Sequence, residues 1–298
     1  MPSAAHQTVV KALRAMPSIA SGGKLDIAAE RAAMVATTAS TPLPKDAQFE
    51  ATDASGVRAE WISFPASDPS KVILYLHGGG YALGSIETHR GLAARIAEAA
   101  GTRCLLIDYR LAPEVLFPGA VEDATAAYLF LRDQGFAPEQ IAIGGDSAGG
   151  GLMFSTLVNL RDLGHALPAV AFALSPWVDL EGLGDSMTSR REDDPMIEKE
   201  GLVAVGKLYL GDADPKTPLA APLYADLSGL PPMLIQVGTA EVLLDDSTRI
   251  AQRLREAGIG VELREFEDLI HVFQALAPMV PEALEAIDEI GSFLKRHL

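Results

Sequence analysis

One serine of this chain lies in a glycine-rich turn of a type that can expose a reactive hydroxyl. The turn, Gly145-Asp146-Ser147-Ala148-Gly149, fits Gly-x-Ser-x-Gly, in which small neighbours let a tight strand-to-helix turn hold the serine clear of its own backbone. The apolar run before it predicts a strand over 140–144, and the apolar spacing after it predicts a helix over 147–163. The pattern favours Ser147 as an acyl-transfer nucleophile, although the motif alone also fits an ordinary glycine-rich turn.

A serine hydroxyl is a weak nucleophile near neutral pH, so this chemistry needs a histidine base and an acid that orients it. Of six histidines, only His271 follows the serine and an acid in chain order without lying at the terminus. Glu241, Asp245 and Asp246 all follow the predicted strand 232–238. Glu241 stands nearest the end of that strand and is preferred as the acid. The two aspartates stay alternatives, because a helix start also attracts carboxylates.

The reaction also needs N–H donors for the negative oxygen of its intermediate, where losing one donor costs about a hundred- to a thousandfold in rate. The sequence His77-Gly78-Gly79-Gly80 follows a predicted strand and can supply them. The amides of Gly79 and Gly80, with that of Ala148, are the candidates for this oxyanion hole. A flexible glycine loop is the alternative, and we expect His77 to orient the loop.

Composition limits the classes of partner and compartment. The chain has 298 residues, 24 basic against 40 acidic, and a net charge of −16, which disfavours nucleic acid and anionic membrane surfaces as partners. No apolar stretch of about 18 residues predicts a membrane span, and no signal peptide is evident. The single cysteine, Cys104, lies in an apolar run and forms no internal disulfide. We therefore expect a cytoplasmic protein, with no metal because no Cys/His cluster is present.

The elements that must position these residues alternate along the chain. Apolar spacing predicts two N-terminal helices, with Val9, Val10, Leu13 and Met16 on one face and Ile27, Ala28, Ala32, Met34 and Val35 on another, separated at Ser18–Lys24. Strands are predicted over 47–52, 57–64 and 71–76 as a meander-like start. Helices then follow over 87–100, 118–134, 147–163, 244–257 and 281–297, and strands over 103–109, 140–144, 168–174, 232–238 and 260–266. This alternation predicts an α/β fold, with a mostly parallel sheet and helices on both faces.

One section, residues 179–215, interrupts this alternation. It is polar and contains the charge run Arg190-Arg-Glu-Asp-Asp194, which we interpret as a solvated face. The section is predicted to be an inserted helical lid that packs with the N-terminal helices over the catalytic edge of the sheet.

Three blocks carry a resemblance to a known family. They are His77-Gly-Gly-Gly80, Asp108-Tyr-Arg-Leu-Ala-Pro-Glu114 and Gly145-Asp-Ser-Ala-Gly149. With them the chain resembles, over nearly its whole length, the bacterial carboxylesterases of the hormone-sensitive lipase family, within the α/β-hydrolases. By this resemblance Ser147, Glu241 and His271 match the triad, and Gly79, Gly80 and Ala148 match the oxyanion hole. The chain departs from the family at Glu241-Val242-Leu243, where Asp-Pro-Leu is more common.

The resemblance also implies a domain organisation. It implies a cap built from residues 1–45 and the insertion 179–215, over a catalytic domain of residues 46–178 and 216–298. Pocket residues would be Tyr81, Trp177, Leu210 and Val272, for which plain core packing is the alternative. Family members commonly form homodimers through the last strand of the sheet, here 260–266.

These observations lead to one functional hypothesis and two alternatives. The hypothesis is a serine carboxylesterase that hydrolyses small-molecule esters with short to medium acyl chains through an acyl-enzyme, without a cofactor. An amidase or deacetylase with the same apparatus is the first alternative. A non-catalytic module that binds a small ligand is the second, and it is disfavoured because His271 is present.

Overall fold

A single sheet forms the centre of the protein. The computed structural model describes residues 1–15 and 26–298, and within them eight strands make up this sheet. The strands are β1 (Gln48–Asp53), β2 (Arg58–Ser63), β3 (Asp68–Leu76), β4 (Thr102–Ile107), β5 (Ile141–Asp146), β6 (Val170–Leu174), β7 (Met233–Gly238) and β8 (Val261–Phe266). Their order across the sheet is β1-β2-β4-β3-β5-β6-β7-β8. The β1–β2 and β2–β4 pairs are antiparallel and the remaining pairs are parallel, as the alternating pattern predicted.

The meander-like start is wrong in one respect. β1 and β2 do form an antiparallel pair, but β4 lies between β2 and β3. The reason lies in the composition of β3, whose run Val72–Leu76 is buried throughout. A strand that is apolar on both faces belongs at the centre of a sheet covered by helices, so β3 pairs with β4 and β5.

Helices cover both faces of the sheet and form two apolar clusters. The helices are α1 (Ala4–Arg14), α2 (Ile27–Thr38), α3 (Ile86–Ala100), α4 (Gly119–Asp133), α5 (Ala148–Asp162), α6 (Ser186–Ser189), α7 (Lys199–Leu210), α8 (Leu244–Glu256) and α9 (Pro281–His297). α4, α5 and α8 bury their apolar side chains on one face of the sheet, and α3 and α9 on the other. The predicted boundaries of the helices and strands that surround the site agree with these to within three residues.

The two N-terminal helices, α1 and α2, differ in how well their predicted apolar faces agree with the structure. Val9, Val10 and Leu13 of α1 pack against the cluster of α3 and α9. In α2, by contrast, no residue is buried, and Val35 is 42% exposed, so the predicted apolar face of that helix is wrong. Met16 and the predicted break at Ser18–Lys24 lie outside the described residues.

Polar contacts hold α2 where apolar burial does not. The Arg31 guanidinium donates to the carbonyl of Ala82 (2.8 Å) and to that of Ala112 (2.9 Å), and pairs with the Glu114 carboxylate (2.8 Å). Ala82 lies two residues after Gly80, so α2 is anchored to the segment that follows the glycine loop.

The section 179–215 contains α6 and α7 and contacts the N-terminal region. Arg14 of α1 donates to the carbonyls of Glu192 (2.9 Å) and Asp193 (3.2 Å). In the charge run, residues 191–193 are exposed as predicted, but Asp194 is buried. The solvated-face interpretation is therefore wrong for Asp194, because backbone N–H groups replace water around its carboxylate. The division into cap and catalytic domain stays a prediction.

Two predicted properties of single segments can be compared with the structure. Cys104 is free and buried in β4, as its apolar surroundings indicated. Across the described ranges, 1–15 and 26–298, no helix has both the length and the apolar character needed to cross a membrane.

Candidate active site

The candidate residues lie in the loops that follow four neighbouring parallel strands. Ser147 follows β5, Ser175 follows β6, Glu241 follows β7, and His271 follows β8. Because the carboxyl ends of parallel strands meet at one edge of the sheet, the topology brings these four loops together.

Ser147 occupies a strained turn between β5 and α5. Its backbone has φ 52° and ψ −121°, a region that non-glycine residues rarely adopt. The flanking glycines are required, because a Cβ at Gly145 would lie 2.5 Å from the Leu76 carbonyl oxygen and one at Gly149 would lie 2.1 Å from it. The backbone N–H of Ser147 donates to Leu174 of β6 (2.8 Å), which ties the turn to the next strand.

The structure brings Glu241 and His271 into direct contact. His271 Nδ1 lies 2.7 Å from Glu241 Oε2, with both side chains buried. Because a carboxylate can only accept, Nδ1 carries the proton and Nε2 is left as the basic nitrogen. Between the hydroxyl of Ser147 and Nε2 the described residues form no hydrogen bond; in ligand-free enzymes this contact is often long.

The alternative acids, Asp245 and Asp246, make other contacts. Asp245 Oδ2 accepts from the backbone N–H of Ser186 (2.9 Å). Asp246 Oδ2 accepts from the backbone N–H groups of Val178 and Asp179, each at 2.9 Å. Both carboxylates therefore fix the section 179–215 near its start, and the carboxylate that accepts from His271 is that of Glu241.

The second oxygen of Glu241 is also held. Glu241 Oε1 accepts from the hydroxyl of Ser175 (2.8 Å) and from the backbone N–H of Gly238 (2.7 Å). The same Ser175 oxygen accepts from the backbone N–H of Val272 (3.2 Å). Ser175 thus connects Glu241 to Val272, the residue after His271. The backbone of Ser175 has φ 46°. Sequence reasoning missed Ser175; its only signal is a Ser-Pro pair directly after a buried strand.

The electrostatic environment favours a proton on His271. Burial lowers the pKa of His271, but the neighbouring carboxylates of Glu241, Asp194 and Asp146 outweigh it and raise this pKa above its ordinary value. These carboxylates stabilise the imidazolium that forms when the ring takes a proton from a hydroxyl. The raised pKa therefore makes the imidazole a stronger base.

The glycine loop lies beside the serine turn. Gly79 and Gly80 both have positive φ, 114° and 64°, so their N–H groups take directions that a residue with a side chain would not readily allow. In the described part of the chain, neither N–H donates to another protein group. Ala148 is the first residue of α5, where backbone N–H groups lack intrahelical partners. These three amides are therefore available to an incoming oxygen.

Asp146 fixes this loop against the turn, which sequence reasoning also missed. Its Oδ1 accepts from the hydroxyl of Tyr75 (2.9 Å) and the backbone N–H of Gly78 (3.1 Å), and its Oδ2 faces His89 Nε2 at 3.4 Å. Burial raises the pKa of Asp146, but His89, Tyr75 and His77 outweigh burial and lower it. The carboxylate stays ionised and anchors the loop; its only sequence signal was its place within the Gly-x-Ser-x-Gly motif.

His77 has contacts that suit orientation of the loop. Its ring stacks on Tyr109 with centroids 4.2 Å apart, and its Nδ1 lies 2.8 Å from the Gly78 carbonyl oxygen. Burial, with the nearby His89, lowers the pKa of His77 to about 3. The ring is therefore neutral at ordinary pH.

The predicted pocket residues are all buried. Trp177 donates its backbone N–H to the Ser147 carbonyl (2.9 Å), and Val272 directly follows His271. Tyr81 stacks on Tyr209 of α7 with centroids 3.9 Å apart, and Leu210 ends the same helix. The structure thus places Trp177, Val272 and Tyr81 in or next to the site loops. Leu210 packs in the larger apolar cluster, to which Tyr81 and Trp177 also belong.

Helix α7 covers the glycine loop. A Cβ at Gly80 would lie 2.8 Å from Val205 Cγ1 of this helix, and Gly206 faces the Trp177 ring. The section 179–215 therefore forms a roof over the candidate oxyanion hole. In residues 1–15 and 26–298, no group of three or more His, Cys, Asp or Glu side chains is arranged to hold a metal ion.

Known proteins resemble this chain in both sequence and structure. A family model described as an alpha/beta hydrolase fold matches residues 73–275. An acetyl-hydrolase of Streptomyces hygroscopicus is 45% identical over 237 residues, which cover 80% of this chain and 79% of that protein. An esterase of Acinetobacter venetianus is 35% identical over 240 residues, covering 80% of this chain and 79% of its own.

A solved structure extends the likeness to the complete chain. The crystal structure of an esterase from the bacterial hormone-sensitive lipase family superposes with a TM-score of 0.95 at 45% identity, covering 100% of this chain and 99% of that one. A second structure, of a hormone-sensitive lipase from a metagenome library, superposes with a TM-score of 0.92 at 38% identity and covers 98% of both chains. The predicted fold, family and enzyme class are thereby confirmed: the chain belongs to the bacterial hormone-sensitive lipase family of α/β-hydrolases and is a carboxylic ester hydrolase.

Proposed function

We propose that this protein is a serine carboxylesterase that acts through an acyl-enzyme, with Ser147 as nucleophile, His271 as base and Glu241 as the acid that orients it. The observation that carries the proposal is the 2.7 Å hydrogen bond between His271 and Glu241, in the loops next to the strained turn of Ser147. A base positioned next to a serine hydroxyl is the arrangement that makes serine reactive.

The first half of the reaction forms the acyl-enzyme. Ser147 Oγ attacks the ester carbonyl carbon while His271 Nε2 takes the hydroxyl proton. Glu241 holds the proton on Nδ1 and stabilises the imidazolium. The carbonyl oxygen becomes negative and accepts hydrogen bonds from the amides of Gly79, Gly80 and Ala148, the oxyanion hole of this proposal.

Collapse of the tetrahedral intermediate breaks the bond to the alcohol oxygen. His271 returns its proton to that oxygen, and the alcohol leaves. In the second half, His271 takes a proton from water, whose oxygen attacks the acyl carbon. The acid product is released and Ser147 regains its proton.

We propose short to medium acyl chains as the substrate range. Support comes from the roof that α7 forms over the glycine loop, where Val205 lies against Gly80 and Tyr209 against Tyr81. The Streptomyces relative is named for acetyl hydrolysis, which is consistent with the short end of this range. Tyr81, Trp177, Leu210 and Val272 would line the pocket.

A series of p-nitrophenyl esters from acetate to palmitate tests this proposal on wild type and Ser147→Ala. We expect highest kcat/KM between acetate and octanoate, and loss of about 10⁴-fold or more in the variant. Ser155→Ala is the matched control, because Ser155 lies on α5 and its hydroxyl, among residues 1–15 and 26–298, bonds only to the Gly151 carbonyl. Equal rates for wild type and Ser147→Ala would refute the mechanism.

Hydrolysis of amides, as by an amidase or deacetylase, is the second candidate for the preferred reaction, because the name acetyl-hydrolase specifies the acyl group and leaves the bond open. The same catalytic residues cleave an amide when the departing nitrogen is protonated well. Comparing kcat/KM for p-nitrophenyl acetate and p-nitroacetanilide decides between the two. A ratio strongly in favour of the ester supports the carboxylesterase.

We also propose a homodimer that forms through β8 and a cytoplasmic location. β8 is an edge strand, and an edge strand offers unpaired backbone groups to a second copy. The single buried cysteine supports a reducing compartment.

A further inference from the structure

Asp194 is a buried carboxylate in the loop between α6 and α7. It is 8% exposed, although it ends a run of charged residues that is otherwise at the surface. Its oxygens accept three backbone N–H groups, from Met196 (2.9 Å), Ile197 (3.0 Å) and Val242 (3.0 Å). In the described parts of the chain, no arginine or lysine pairs with it. Burying an anion without a cationic partner costs free energy of folding, which suggests that the Asp194 carboxylate has a function.

The bond to Val242 links the inserted section to the acid of the site. Val242 directly follows Glu241, so Asp194 holds the loop that carries the carboxylate bound to His271. Ser186 of α6 holds the same loop: its hydroxyl donates to the Val242 carbonyl (2.6 Å) and accepts from the Asp245 N–H (3.0 Å). The loop therefore has one ionised anchor and one neutral anchor, both from the section 179–215.

The ionised anchor also acts on the imidazole. Three carboxylates act on His271: Glu241 after β7, Asp146 at the end of β5, and Asp194 from the inserted section. Burial lowers the pKa of His271, and all three carboxylates raise it. In the reverse direction, burial raises the pKa of Asp194 above its ordinary value, and the charge of His271 offsets part of this rise. The two groups thus stabilise each other when both are charged.

We propose that Asp194 is a positioning residue for the reaction: it fixes the acid loop through Val242, and its charge stabilises the imidazolium that forms on His271. This rests on the proposed function of Ser147, His271 and Glu241. Asp194 makes no hydrogen bond to the imidazole, so its charge acts through space. Such an effect is strong because buried charges are little screened by water or salt.

The consequence is that the section 179–215 contributes to proton transfer as well as covering the site. In wild type, the imidazolium forms between one directly bonded carboxylate and two more distant ones. When Asp194 loses its charge, His271 becomes a weaker base, and the transition state that carries a proton on the ring loses stabilisation.

The experiment compares Asp194→Asn and Asp194→Ser with Ser186→Ala in the pH dependence of kcat/KM for p-nitrophenyl acetate. Both Asp194 variants remove the charge, and the serine hydroxyl can still accept from the N–H of Met196 or Ile197. Ser186→Ala loosens the acid loop without changing charge. We expect the acid limb of the Asp194 variants to move to lower pH by about half a unit to one unit, with kcat about tenfold lower and KM within about twofold. In Ser186→Ala the rate falls and the limb stays in place.

A titration of His271 by NMR gives a readout that does not require catalysis. The ring signal is assigned by its loss in His271→Gln, among the six histidines of the chain. We expect a lower pKa for His271 in Asp194→Asn than in wild type. An unchanged pKa and acid limb in folded Asp194 variants, or an equal shift in Ser186→Ala, would overturn the proposal.

Thermal unfolding shows whether the variants fold. Failure of both Asp194 variants to fold would assign Asp194 to the stability of the inserted section alone, and would also overturn the proposal. If instead Ser147→Ala kept full activity, the proposed function would fail, whatever the titration gave. The two failures are therefore distinguishable.

Discussion

On the side of the proposed nucleophile, Ser147, the hydrogen bonds that fix the serine turn and the start of the glycine loop come from the sheet and its own loops. Asp146 at the end of β5 holds the glycine loop through Gly78, and the N–H of Ser147 is bound to β6. On the side of His271 and Glu241, the base side, Ser175 again lies in a loop of the sheet, but Ser186 and Asp194 reach the loop of Glu241 from the inserted section. These contacts hold the turn of the proposed nucleophile from the sheet, whereas the loop of Glu241 is also held by the section 179–215. Movement or redesign of that region should therefore affect proton transfer before it affects the turn of Ser147.

The largest loss of activity is expected on the base side, when the contact between Glu241 and His271 is broken. Glu241→Gln should lower kcat by about 10³- to 10⁴-fold, because an amide no longer stabilises the imidazolium and can stabilise the wrong tautomer. Asp245→Asn is the matched control, since that carboxylate binds the Ser186 N–H. Steady-state kinetics with p-nitrophenyl acetate measures both. The reverse ranking would move the acid to Asp245.

A smaller loss is expected from the nucleophile side. In Gly78→Ala the new Cβ would lie 2.2 Å from Asp146 Oδ2, so the glycine loop must shift away from its anchor. We expect kcat to fall about 100-fold, as when an oxyanion donor is displaced. Gly91→Ala is the control, because its nearest neighbour is a Leu43 methyl group at 3.7 Å and α3 gains helix propensity. Full activity of folded Gly78→Ala would show that the loop tolerates the shift.

The smallest expected effect is on the free energy of unfolding, and it distinguishes two buried aspartates, Asp146 and Asp246. Asp146, on the nucleophile side, has a lowered pKa, whereas burial raises the pKa of Asp246, at the base of the inserted section, to about 7. Unfolded aspartate titrates near 3.9, so between about pH 4 and 7 the folded protein binds the extra proton at Asp246. This group therefore favours folding increasingly as the pH falls from about 7 to about 4.

Asp246→Asn removes this contribution, because the amide oxygen can still accept from Val178 and Asp179 but does not titrate. Urea unfolding midpoints at pH 5, 6, 7 and 8 measure the effect. We expect the variant to gain stability relative to wild type as the pH rises. An identical pH dependence in the two proteins would contradict the raised pKa of Asp246.

Regular patterns made the core of the fold predictable. Strand and helix boundaries followed from apolar spacing, and the order of serine, acid and histidine was expected from the architecture that the serine turn indicates. Ser175 and Asp194 could not be found in this way, because their partners, Glu241 and Val242, lie 66 and 48 residues away in the chain. For α2, apolar spacing suggested burial, but a single arginine and carbonyl acceptors hold that helix at the surface.

The contact between Val205 and Gly80 has a consequence for protein engineering. Because Gly80 has φ 64° and a Cβ there would lie 2.8 Å from Val205 Cγ1, a side chain at position 80 is disfavoured, and position 205 is the partner in this contact that can vary more readily. A chimaera that takes helix α7 from a relative therefore changes the space between this helix and the proposed oxyanion hole. Saturation mutagenesis of position 205 alone would vary this space while the proposed donors, the amides of Gly79, Gly80 and Ala148, stay unchanged.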